Sequence, residues 1–330
     1  MKIQFPAPLQ AGDAVAVTAI SSGVPAHLHA GLDASLDRLR ARGWKVVEGD
    51  CLREEKHDAS APAKARLAEF NHFLFDPGIR AILPPWGGER AIELLAGMDF
   101  AALAKLPAKW LAGFSDISTV AAPLTLLSGW ATLHGANLYD LASEEGDFGC
   151  AALLETLECG LPPLQTACGE FWSWGSPMQR HPGQLRVLGA AEARIEGRLI
   201  GGCLDTLSRL QGSRYFDLSA FKAEPAILYL ENCEMGPCEL LRALTGLRLG
   251  GALDGLAGLV LGRSGGPDAG DANALDYRAA LETALAGLPY PVAVDADIGH
   301  VPPQWSLLNG AWATLEVKGS AGVLEQRRMR

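Results

Sequence analysis

The chain has 330 residues, of which 48% are hydrophobic and 20% charged, with a formal net charge of −10. This composition is globular, and the length suits two domains of ordinary size. The negative charge disfavours nucleic acid and anionic membrane as main partners, and no apolar run approaches the roughly 18–20 residues that span a bilayer.

The first nine residues carry polar and proline breaks instead of a secretory start, so a cytoplasmic protein is expected. Asp13 to Gly23 reads as a buried first strand ending in a loop at Ser21–Gly23. Leu28 to Arg42 has helical spacing at Leu32, Leu36 and Leu39, with Gly43 as a stop. Trp44 to Val47 reads as a second strand. Ala61 to Phe75 is a helix with Leu67, Phe70 and Leu74 on one face, closed by Asp76-Pro77-Gly78. Ile79 to Leu83 is a strand, followed by a tight loop at Pro84–Gly88 and a helical run from Glu89 to Ala96. This alternation predicts βαβ units: an α/β fold with an N-terminal, mostly parallel sheet flanked by helices. Ligands of such sheets bind at the carboxyl ends of strands, where the Gly87-Gly88 loop falls.

The next segment is Lys109-Trp-Leu-Ala-Gly-Phe-Ser-Asp-Ile-Ser-Thr119. An apolar run ends at Gly113, and an amphipathic run follows from Ile117 to Leu127. The spacing predicts strand, sharp turn and helix, with Ser115 at the turn. Such a turn lifts a hydroxyl above the sheet edge beside the free N–H groups of a helix start, which suits a nucleophile as well as an ordinary N-cap. Asp116 in the first helical turn complements the helix dipole.

Between Gly160 and Gln184 prolines, glycines and the pair Trp172 and Trp174 accumulate. A long loop or linker is expected over 161–185, dividing an N-terminal domain (1–160) from a C-terminal one (186–330), the second a smaller α/β domain. The tryptophan pair suits either a cover over a ligand or a buried domain interface. Beyond it, Gln184 to Glu196 reads as strand, and Gly197 to Cys203 as a turn into a helix over Leu204–Leu210. Further strands are expected at Ala226–Leu230, Leu256–Leu261 and Val292–Val294. Pro237–Thr245 and Asn273–Ala286 read as helices, and Trp312–Val317 as a last edge strand.

A serine nucleophile needs a base and an orienting acid. Of seven histidines, His134 and His300 are the two candidates, and spacing alone does not choose between them. Glu231 ends a strongly apolar strand, where a charge is costly unless paired. Arg90 and Arg263, each just after a strand end, are candidate cations for an anionic group of a ligand. The seven cysteines form no C-x-x-C pair; Cys233 and Cys238 have no nearby His to complete a zinc site, and no metal or cofactor is implied. The dinucleotide and P-loop glycine patterns are absent, as is the second glycine of G-x-S-x-G.

Gly113-Phe-Ser-Asp-Ile-Ser118 resembles the nucleophile segment of the LD-carboxypeptidase family, which includes the microcin C resistance hydrolases. Asp76–Ile82 with Gly87-Gly88, Gly197–Leu204 with Leu210-Gln211-Gly212, Leu230-Glu231 and Gly299-His300 match that family's other segments in order. The resemblance implies a triad of Ser115 as nucleophile, His300 as base and Glu231 as orienting acid. It implies an oxyanion hole of the Gly88 and Asp116 N–H groups, an active site between the domains, and a homodimer. It further implies a small substrate: a muropeptide losing a terminal D-amino acid, or an aminoacyl-nucleotide conjugate, on whose purine Trp172 or Trp174 would stack. His134-Gly-Ala-Asn137, Glu89-Arg90 and Asn232 depart from the family's pattern, and substrate choice is expected to depend on them.

Overall fold

The computed structural model describes residues 2–143, 149–173, 178–219 and 221–329. The chain forms two compact units, one of Lys2–Pro163 with Ser306–Gly310 and one of Leu164–Trp305 with Ala311–Arg330.

The first unit is built on a four-stranded parallel sheet, in the order Lys45–Glu48, Ala14–Val17, Ile79–Ile82, Trp110–Leu111. The second strand in that order is central, and Val15, Ala16 and Val17 are fully buried in it. Helices His29–Arg40 and Ala63–Phe75 cover the sheet with Leu32, Leu36 and Leu39 and with Phe70 and Leu74. Glu89–Ala96 is a 3-10 helix over Ala91–Gly97. The run after Ser115 is not amphipathic: every residue from Asp116 to Leu126 is buried, so it is a core helix. Its polar side chains bond inward; the Thr125 hydroxyl, for example, donates to the Trp130 carbonyl at 2.7 Å. The returning segment Leu307–Leu308 pairs antiparallel with Leu133–His134.

The second unit carries an eight-stranded mixed sheet. Its core is four parallel strands, Glu192–Cys203, Ala226–Glu231, Gly258–Gly262 and Val292–Ala296. Ile227, Leu228, Tyr229 and Leu230 are wholly buried, and each such side chain stabilises by about 1.5–3 kcal/mol. Helices Leu204–Leu207, Pro237–Leu249 and Tyr277–Leu285 complete the βα pattern.

Three further expectations are corrected. Gly197–Cys203 is strand, not turn. Gly201 serves close approach there: a Cβ on it would stand 1.8 Å from the Tyr229 carbonyl oxygen of the neighbouring strand. The stretch 161–185 is not simply a loop: Gln165–Thr166 joins the large sheet, and Glu170–Ser173 with Gln179–Pro182 forms a hairpin. Trp312–Lys318 is not an edge strand, because it pairs on one side with Glu192–Cys203 and on the other with a final strand, Ala321–Arg327.

Candidate active site

In the first unit, Ser115 follows the strand Trp110–Leu111 and opens the buried helix with φ +62°. A non-glycine residue rarely holds that left-handed backbone, and such strain persists only where surroundings over-determine it. Here they do. The Asp116 carboxylate, 3% exposed, accepts from the Ser21 hydroxyl at 2.6 Å, the Ala91 N–H at 2.8 Å and the Thr119 hydroxyl at 2.8 Å. Ser21 in turn accepts from the Arg90 N–H at 2.9 Å. One buried carboxylate thus ties together the loop after the first strand, the Gly87-Gly88 loop and the turn at Ser115. On the other side of the turn, Asn137 accepts from the Phe114 N–H at 3.0 Å.

The Gly87-Gly88 loop passes directly over the turn. A Cβ on Gly87 would stand 2.7 Å from the Asp116 nitrogen and 2.8 Å from the Ser115 Oγ. Gly88 has φ +132°, and a Cβ there would meet the Ser22 Oγ at 2.3 Å. Both positions therefore require glycine. The Asp116 N–H sits in the first helical turn, where backbone donors lack intrahelical acceptors.

In the second unit, Glu231 ends its strand 1% exposed, and its carboxylate Oε2 accepts from the His300 Nδ1–H at 2.8 Å. An isolated carboxylate there would cost several kcal/mol, and the imidazole is its compensation. Gly299 makes the contact possible, since a Cβ on it would lie 2.3 Å from Glu231 Oε2, and its φ of +89° suits glycine alone. The imidazole is pulled two ways: burial favours its neutral form, but the Glu231 charge and the Cys233 thiol outweigh this and raise its pKa to about 11. The His300 side chain keeps 20% of its surface exposed, while the carboxylate behind it has none. The contact at Nδ1 fixes the orientation of the ring.

Models of the LD-carboxypeptidase N-terminal and C-terminal domains match residues 15–135 and 196–315. The chain belongs to the LD-carboxypeptidase family. Among curated relatives, a Streptomyces coelicolor protein is 31% identical, covering 89% of this chain and 87% of its own length. The microcin C7 self-immunity protein MccF of Escherichia coli is 26% identical, covering 91% and 90%. A structure of MccF in complex with glutamyl sulfamoyl guanosine superposes with TM-score 0.83 at 22% identity, covering 98% of this chain and 99% of that one. The muramoyltetrapeptide carboxypeptidase of Oxalobacter formigenes superposes with TM-score 0.76 at 23% identity, covering 96% and 99%. These likenesses establish the two-domain α/β fold.

Within this member of the family the other expected site residues fare differently. Arg263 is not available to a substrate carboxylate. It is 4% exposed, ion-paired with Asp297, and donates to the Val301 carbonyl at 3.0 Å and the Pro303 carbonyl at 2.6 Å. It therefore braces the segment after His300. Arg90 stays partly exposed, but its guanidinium already donates to Glu93 at 2.6 Å and to the His57 carbonyl at 2.8 Å. Trp172 lies in the hairpin, its N–H bonded to the Pro302 carbonyl at 2.9 Å and the Arg180 guanidinium 5.7 Å from its ring centroid. Trp174 lies outside the described residues. His134 is buried in its strand, its ring centroid 6.2 Å from that of Phe114. Asn232 does not present itself to a substrate: its amide donates to the Met235 carbonyl at 2.7 Å and the Ser264 hydroxyl at 2.9 Å, holding the loop after Glu231. Sequence reasoning missed the roles of Ser21 and Thr119 as donors to Asp116, and it gave Asn137 only as a departure from the family's pattern, not as an acceptor at the turn. It also missed Cys203, which is the register partner of Glu231.

No helix of the described residues is long and apolar enough to cross a membrane.

Proposed function

We propose that the protein is a cytoplasmic serine carboxypeptidase that hydrolyses an L–D amide bond, releasing terminal D-Ala from muropeptides during peptidoglycan recycling. Ser115 Oγ attacks the scissile carbonyl carbon while His300 Nε2 takes its proton. The oxyanion is held by the Gly88 and Asp116 N–H groups, a class of interaction worth about 10²–10³-fold in rate per donor. Collapse of the tetrahedral intermediate breaks the C–N bond, and His300 returns the proton to the departing amine. Water, deprotonated by His300, then hydrolyses the acyl-enzyme. Glu231 fixes the ring orientation and stabilises the imidazolium. Arg90 is the remaining cation for the substrate's terminal carboxylate, and the working form is a homodimer.

The observation that supports this most is the His300 Nδ1–Glu231 Oε2 contact of 2.8 Å, with the carboxylate fully buried and the imidazole partly open. That is the arrangement of an oriented base. The position of Ser115 at a left-handed helix start supports its role as nucleophile.

A second reading is a detoxifying amidase acting on aminoacyl-nucleotide conjugates. It is favoured by Trp172, whose backbone is tied to Pro302, two residues past His300. The two are separated by comparing kcat/KM for a muropeptide tetrapeptide and for an aminoacyl sulfamoyl nucleoside. Faster tetrapeptide cleavage is expected. A Trp172→Ala variant that raises KM for the nucleoside alone, with the nucleoside the better substrate, would reverse the choice. Sedimentation at monomer mass across micromolar concentrations would contradict the homodimer.

A further inference from the structure

Cys203 and Glu231 face each other as register partners on neighbouring parallel strands, both at the strands' carboxyl ends. His300 approaches from the loop beyond. A thiol sulfur, a carboxylate oxygen and an imidazole nitrogen from these three residues all lie within 4.8 Å of one another. Cys203 and Glu231 are each 1% exposed, whereas the His300 imidazole is partly exposed.

We propose that Cys203, Glu231 and His300 form a binding site for a soft divalent cation such as Zn²⁺ or Cd²⁺, and that the bound cation turns hydrolysis off. The donor set is one sulfur, one nitrogen and one oxygen, which suits a borderline-soft ion and leaves a fourth position for water. Tetrahedral zinc, with ligand distances of about 2.0–2.3 Å, sets its ligand atoms roughly 3.3–3.8 Å apart. The three atoms therefore reach a common ion with small side-chain adjustments. A thiolate and a carboxylate together neutralise the two positive charges, which makes the ion tolerable in a buried place.

The chemistry of loading balances simply. Cys203 loses its S–H proton to solvent as the metal–sulfur bond forms. The ion replaces the proton at His300 Nδ1; that proton moves to Nε2 in a neutral ring, or leaves to solvent from an imidazolium. Either way Nε2 ends as an N–H donor and accepts no proton from a serine. The binding stands on the geometry alone, whereas the inhibition rests on the proposed role of His300 as the base.

The test uses the full chain stripped of metal by a chelator, with Co²⁺ as a spectroscopic probe and Zn²⁺ as inhibitor. Wild type is expected to bind one Co²⁺ with a thiolate-to-metal charge-transfer band, and micromolar Zn²⁺ is expected to abolish turnover reversibly. Mg²⁺, which avoids sulfur, is expected to do neither. Cys203→Ala should lose the band and need at least tenfold more Zn²⁺ for half-inhibition, measured against its own metal-free rate. Cys238→Ser, which alters an exposed thiol, should behave as wild type. An unchanged band and unchanged Zn²⁺ sensitivity in Cys203→Ala would overturn the site. Should that variant not fold, absence of the band in wild type would overturn it equally. A Cys203-dependent band without inhibition would overturn the switch. Zn²⁺-independent hydrolysis that survives His300→Gln would overturn the reading of His300 as the base and leave the cation site intact.

Discussion

Removing the Asp116 carboxylate should destabilise the first unit more than any other single change at the turn. It accepts three buried hydrogen bonds, from Ser21, Ala91 and Thr119. Asp116→Ala strands all three donors in an interior where water does not reach them. Each unsatisfied buried group costs about 1–3 kcal/mol. The three are close enough to relax together, so the sum is not additive, and about 3–5 kcal/mol is expected. Asp116→Asn is the graded control. Its amide oxygen still accepts from Ser21 and Ala91 if its nitrogen turns toward the Thr119 hydroxyl, which is able to accept. More than half of the loss should therefore return. The assay is urea unfolding followed by tryptophan fluorescence, with the m-value compared to confirm that only stability changed. Because the same carboxylate holds the left-handed Ser115 turn, Asp116→Ala should lose turnover even under conditions where it remains folded. An Asp116→Ala protein within about 0.5 kcal/mol of wild type would refute the clamp, since that is the range of a neutral surface change.

Other expectations concern neighbouring groups. The raised His300 pKa places the acid limb of the kcat/KM profile above the ordinary histidine value of about 6.5. Glu231→Gln removes the largest raising cause and leaves the Cys233 contact and the opposing effect of burial, so the imidazole should titrate below its wild-type value, as followed by NMR of labelled histidine; a rise would contradict the assignment of cause. The same shift has a stability consequence. A histidine whose folded pKa exceeds its unfolded one contributes stability that is fully present below about 6.5. That contribution is lost as pH rises through the folded value of about 11. Gly87→Ala should abolish turnover by crowding the Ser115 Oγ and the Asp116 N–H, while the thermal midpoint falls only modestly; retained activity would show that the loop is not positioned as described. Arg263→Ala should cost about 3–5 kcal/mol by leaving the Asp297 carboxylate buried without its cation. A rise in substrate KM with unchanged stability would instead make Arg263 a substrate ligand.

Much of the fold was legible because strand and helix alternate with clear punctuation. Asp76-Pro77-Gly78 and Gly43 close helices where the spacing ends, and Ala226–Glu231 is too apolar to be anything but a buried strand. The strand Gly197–Cys203 was hidden because its glycines read locally as a turn, whereas their purpose is close approach of the Tyr229 backbone. The final strand was hidden for a related reason. Its inward positions include Gly322 and Gln326, so the alternation that marks a half-buried strand is faint. Arg263 looked available to a substrate carboxylate because its partner Asp297 is 34 residues away and invisible to local pattern. The Ser115 turn and the Glu231 strand end were visible individually. The choice of His300 over His134 rested on family resemblance, since no spacing rule relates a loop histidine to a carboxylate 69 positions earlier.

The most direct measurement is release of free D-Ala from a purified muropeptide tetrapeptide by wild type and by Ser115→Ala side by side. Release by wild type and none by the variant is the predicted result. Release by Ser115→Ala at the wild-type rate would contradict the account, because the reaction would then proceed without the proposed nucleophile.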